Sequence, residues 1–118
     1  MGDRSNVVVL HENGNGIGIY THSSGSDLPR MVAKALKFSK PRWGDLAYFT
    51  RMFFCNLLDQ EGETLRGELG WGLYPYTKDG MGTYEEEHET IFVDTETCTV
   101  AKGDGGCDFE TYIEVYSV

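Results

Sequence analysis

At 118 residues, 40% hydrophobic and 25% charged, the chain suits a single domain (1–118) with a core of its own. Ten Lys and Arg against 19 Asp and Glu give a net charge of −9, which opposes direct binding to a nucleic-acid backbone. No apolar run approaches the roughly 20 residues of a membrane span, and the polar opening Met1-Gly2-Asp3-Arg4-Ser5-Asn6 has no leader-like core. A multidomain enzyme, a membrane protein and a repeat protein are set aside, and a cytoplasmic chain is expected.

The charge is unevenly placed. Residues 1–58 carry a net +3 and residues 59–118 a net −12. Three cysteines, Cys55, Cys98 and Cys107, make an odd count and read as free thiols of a reducing compartment. Cys98 and Cys107 flank a Gly-rich turn, within reach of one another across a hairpin.

In chain order, Asn6 to His11 and Ile17 to His22 are apolar, β-branched runs separated by Asn13-Gly14-Asn15-Gly16. Asn-Gly supplies the positive φ angles of a tight turn, so a β-hairpin is predicted. Gly18, inside the second strand, signals a bulge or a close neighbour. Ser26 or Asp27 caps a helix opening at Leu28-Pro29, with Leu28, Met31, Val32, Ala35 and Leu36 on one face and Arg30, Lys34, Lys37 and Lys40 on the other. A second helix follows Asp45 and stops near Gly62. Its main stripe is Leu46, Phe49, Met52, Phe53, Asn56 and Leu57, and Tyr48, Phe54 and Leu58 widen it, which predicts a central helix covered on more than one side.

Beyond Gly62 the period shortens. Strands are predicted over Thr64–Tyr76, Glu89–Asp94 and Cys98–Ala101, then a turn over Lys102–Gly106. Phe109–Val118, where Tyr112, Glu114 and Tyr116 alternate with Ile113 and Val115, reads as a last strand. The fold class is α+β: an N-terminal β-hairpin, two consecutive helices, then three or four antiparallel strands, in one sheet with the helices on one face.

The chemical constellations are sparse. His11 and His22 flank the hairpin and offer a general-base pair, although polar hairpin-end roles account for them more plainly. Ser23, Ser24 and Ser26 follow His22 without a nucleophile-elbow motif, so capping and turn roles suffice. Gly14-Asn15-Gly16-Ile17-Gly18 lacks the following helix that a phosphate loop needs, and Asp104, Asp108 and Glu110 do not match a calcium loop. No cofactor and no metal are expected.

The acidic region is the strongest signal. Glu85, Glu86, Glu87 and Glu89 precede a strand, and Asp94, Glu96, Glu110 and Glu114 follow, with Tyr84, Tyr112 and Tyr116 interleaved. Alternate residues on a strand lie about 6–7 Å apart, close to the spacing of successive phosphates along one nucleic-acid strand. These eleven residues are read as a partner-binding surface: carboxylates facing a groove of Lys and Arg, tyrosines as anchors. The plainer reading is a solvated acidic face that keeps a small sheet soluble.

Arg4-x-Asn6-Val7-Val8-Val9, then Gly16-Ile17-x-Ile19-Tyr20-x-His22-x-x-Gly25, resembles the start of a group of small uncharacterised phage and prophage proteins. Ala35-Leu36, with Arg42-Trp43-x-Asp45-x-Ala47-Tyr48-x-x-Arg51, resembles the same group. The likeness covers the first half and departs at Ser23, where the group has Trp. It implies a viral or mobile-element origin, and the expected compartment is the host-cell cytoplasm. In size and charge the chain is also similar to anti-CRISPR and other anti-defence proteins. The expected function is therefore non-catalytic: a monomer or homodimer that occludes the basic groove of a host nucleic-acid-handling complex. The alternatives are a small enzyme using His22 with Arg42 and Asp45, and a self-assembling phage accessory whose basic helix meets the acidic sheet of another copy.

Overall fold

The structure, a computed structural model, describes residues 3–62, 70–80, 82–83, 87–103 and 105–116. Strands β1 (Ser5–Leu10) and β2 (Gly16–Thr21) precede helices α1 (Leu28–Phe38) and α2 (Leu46–Glu61). Strands β3 (Trp71–Tyr76), β4 (Ile91–Asp94), β5 (Thr99–Lys102) and β6 (Gly105–Asp108) follow, and α3 (Phe109–Tyr116) closes the described chain. The fold is α+β, with one six-stranded sheet in the order β3-β2-β1-β4-β5-β6.

The hairpin forms where the Asn-Gly signal lies. Asn13 and Gly14 both take positive φ, 60° and 75°, within a short 3-10 turn between β1 and β2. Among the described residues every strand pair is antiparallel except β1–β4, where Val7 to Leu10 run parallel to Ile91 to Asp94. The expected all-antiparallel sheet is corrected to a mixed one. Placing β4 beside β1 requires the chain to return across the sheet after β3, a long-range choice that local patterning does not encode.

Paired residues point to the same side, so the register sorts the sheet into two faces. Val7, Val9, Ile19, Ile91, Val93 and Val100 face the helices and form the core with α1, Phe49, Phe53 and Leu57 of α2, and Phe109 and Tyr112 of α3. All three helices lie on this face. The central one is α1, packed against α2 on one side and α3 on the other, and it buries Leu28, Met31, Val32, Ala33, Ala35 and Leu36. Helix α2 is therefore not enclosed as its wide stripe suggests: Leu46 and Tyr48 are 39% and 52% exposed. Its start is capped by the Asp45 carboxylate, which accepts from the Tyr48 N–H, and its end by Gly62 at φ 74°.

The second correction is at the C-terminal end. Phe109–Tyr116 is a helix, not a strand, and the residues taken for a turn, Gly105 and Gly106, belong to β6. Phe109, Tyr112, Ile113 and Tyr116 are spaced i, i+3, i+4, i+7, and all pack on the core. The Asp108 carboxylate accepts from the Thr111 N–H at 2.7 Å, an N-cap that the alternating reading overlooked. The strand predicted over Thr64–Tyr76 is described only for Trp71–Tyr76, its earlier part lying outside the described residues.

Candidate protein-docking face

The face turned away from the helices carries Asn6 and Val8 of β1, Gly18 and Tyr20 of β2, Tyr74 and Tyr76 of β3, and Phe92 and Asp94 of β4. Gly18 leaves room for the Tyr74 ring, and a methyl group there would overlap it. The ring spans β2 and its hydroxyl donates to Asn6 Oδ1 at 2.7 Å. The close neighbour that Gly18 signalled is thus an aromatic ring laid across the sheet, with unbroken register and no bulge. Beside it Tyr76 meets Phe92 edge-on, centroids 5.7 Å apart, and both rings are half-buried. They line a hollow of about 480 Å³ with Thr83, Glu89, Thr90 and Gly103.

Carboxylates stand at both ends of β4 around these rings. At the leading end is Glu89, an exposed residue at the margin of the sheet whose carboxylate lies over Gly103 and which also borders a helix-side hollow with Val100, Tyr112 and Tyr116. At the far end, Asp94 accepts from the N–H groups of Glu96 (2.9 Å) and Thr97 (3.3 Å), which folds the β4–β5 turn and leaves Glu96 exposed. Glu89 and Asp94 are five residues apart, about 16 Å along an extended chain.

The segment leading into β4 is held by a polar latch. Glu87 exchanges two 2.9 Å bonds with Arg4: its N–H donates to the Arg4 carbonyl, and its carboxylate accepts from the Arg4 N–H. His88 Nε2 meets Asp3 Oδ1 at 2.5 Å, while Asp3 Oδ2 accepts from the Ser26 hydroxyl (2.6 Å) and N–H (3.0 Å). Ser26, foremost, and His88 hold the Asp3 carboxyl down, from the ordinary 3.8 to about 2. Ser26 serves this latch rather than capping α1. Asp27 holds the position before the helix but spends its carboxylate on Arg30.

The eleven partner-binding candidates fall into three groups. Glu87, Glu89, Asp94 and Glu96 flank β4 as above. Tyr84, Glu85 and Glu86 lie outside the described residues. Glu110, Tyr112, Glu114 and Tyr116 sit on α3, on the helix side, so the single strand-borne row expected of them does not form. Lys40 pairs with Glu110 at 2.8 Å. Tyr112 is buried, its hydroxyl donating to the Pro29 carbonyl at 2.9 Å, and Tyr116 stacks on it at 4.4 Å, so these rings fasten α3 to α1. Tyr76 and Phe92 are the aromatic groups that sequence reasoning missed on the outer face of the sheet. Their signal was parity, since Phe92 shares a side with Asp94, but two strands, β2 and β1, lie between β4 and the strand that supplies Tyr76.

The histidine and enzyme constellations come apart. Ser5 pairs with Thr21 and Leu10 with Gly16, which puts His11 and His22 at opposite ends of the hairpin. His22 lies level with Arg4, its Nδ1 3.4 Å from Arg4 Nε and 3.3 Å from the Tyr20 hydroxyl. Arg42 and Asp45 form a pair of their own, 3.6 Å apart, at the start of α2. That end of α2 adjoins His11 and Ile17, whereas Ser24, just beyond His22, bonds Glu61 at its other end. The sheet and the length of α2 separate His22 from Arg42 and Asp45.

Cys55, Cys98 and Cys107 are all free thiols. Among the described residues no helix is long and apolar enough to cross a membrane. Compared with protein-family models, with curated proteins and with solved structures, the chain matches none.

Proposed function

We propose that this chain is a non-catalytic binding protein that docks the outer face of its sheet onto a basic surface of a partner protein. The observation that carries this reading is the arrangement around β4: Tyr76 and Phe92 form an aromatic centre, with exposed carboxylates at either end of the strand. Aromatic residues at the centre of an interface supply desolvated anchors, and rim charges steer association and set its salt dependence. The class of partner is a host nucleic-acid-handling complex, such as a CRISPR effector, whose Lys and Arg groove the carboxylates occupy. The net charge of −9 and the phage-like first half support that choice.

The distance between the acids that flank β4 and those carried by α3 supplies its own control. Neutralising Glu89 and Glu96 together, E89Q/E96Q, should slow association with a CRISPR effector about ten-fold at low salt and flatten the salt dependence. E110Q/E114Q, the same charge change on the helix side, should leave both unchanged. The Lys40–Glu110 pair it breaks is exposed, so the fold loses less than about 1 kcal/mol. Equal behaviour of the two variants would remove the outer face from the mechanism.

A further inference from the structure

On the helix side, α2 and the β2–β3 edge of the sheet part to leave a groove of about 460 Å³, a size typical of small-molecule sites. Val9, Ile17 and Leu73 form its sheet wall; Ala47, Arg51 and Phe54 form its helix wall. The surface is almost wholly carbon. Ile17, Leu46 and Leu73, three of the six exposed large apolar residues described, line it together.

Its few polar groups differ in what remains available. The Thr50 hydroxyl already donates to the Leu46 carbonyl at 2.7 Å. The Arg51 and His11 side chains have no hydrogen-bond or ion-pair partner among the described residues, whereas Arg30 and Arg42 are each paired with an aspartate. Arg51 follows Ala47 by one helical turn, so its stem runs along the apolar wall and its guanidinium reaches the rim. From Ala47 to Phe54 the helix rises about 10 Å, the length of a medium acyl chain.

We propose that this groove binds a medium-chain carboxylate, with the chain between Ile17, Leu73 and Phe54 and the carboxylate held by the Arg51 guanidinium. A guanidinium offers paired donors to the two oxygens of a carboxylate, and this bidentate fit at the rim orients the ligand with its chain in the groove. The site lies on the opposite side of the sheet from the docking face and does not depend on it.

Calorimetric titration of the full chain with decanoate, and with decanol as the uncharged counterpart, tests the assignment. Decanoate should bind saturably at one site. Arg51→Gln, at an exposed position, should weaken decanoate at least ten-fold and leave decanol unaffected; Ala47→Trp, which fills the groove, should abolish both. Absence of saturable binding overturns the proposal, as does an Arg51→Gln variant that holds decanoate as the wild type does. So does a sedimentation profile in which the wild type is a dimer and Ala47→Trp a monomer, because a second copy then covers the groove.

Discussion

The Tyr74 hydroxyl reaches over strand β2 to donate to Asn6 Oδ1 on β1, and its ring rests on Gly18 between them. One side chain thereby ties three strands together on the face that lacks helices. The space belongs to the glycine. Gly18→Ala should cost about 1–3 kcal/mol through overpacking, read from the urea midpoint. Tyr74→Phe should cost only about 1 kcal/mol, for the hydroxyl bond alone. A wild-type midpoint for Gly18→Ala would mean that the ring does not lie there.

Asp3 makes the latch acid-sensitive in a defined window. Its carboxyl is held at about 2 in the folded chain against the ordinary 3.8, so its contribution is present above 3.8 and is lost as pH falls through 2. Asp3→Asn should therefore be less stable than the wild type at pH 7, and the difference should close between pH 4 and pH 2. Urea midpoints over that range read it directly. A gap that persists at pH 2 would show that Asp3 acts through packing and not through its charge.

Ser5 presents the opposite case. Its hydroxyl is buried on the helix side of β1, with no hydrogen-bond partner among the described residues. A buried polar atom without a partner carries its desolvation cost uncompensated. Ser5→Ala should accordingly raise stability by about 1 kcal/mol in urea unfolding; a loss of that size would point to a bond that the geometry does not show.

What could be read from residues alone follows the range of the interactions. Asn13-Gly14, the Leu28–Leu36 stripe, the Asp45 cap and the Gly62 stop are decided within a few residues, and each appears as expected. The parallel β1–β4 pair and the Asp3–His88 contact join groups more than 80 positions apart, where local pattern carries no information. The acidic surface shows both sides of this. Glu89, Asp94 and Glu96 were placed together because a strand and its turn hold them. Glu110 and Glu114 were assigned to the same surface on a period of two, yet their segment also satisfies a helical period, and tertiary packing chose the helix.

Tyr112 offers a test of that choice at alkaline pH. Burial, foremost, and the neighbouring Tyr116 push its phenol above the ordinary 10.0, and its hydroxyl donates to the Pro29 carbonyl of α1. A phenol raised in the folded state stabilises the fold fully below pH 10 and less as pH climbs past it, because the unfolded chain ionises first. Tyr112→Phe should cost about 1 kcal/mol at pH 7, for the lost bond. Its disadvantage should shrink and then reverse above pH 10, where it has no phenol to ionise. A solvent-facing tyrosine on a strand would titrate near its ordinary value and give two parallel curves, so the crossing of the midpoints separates the helical packing of α3 from an exposed tyrosine row.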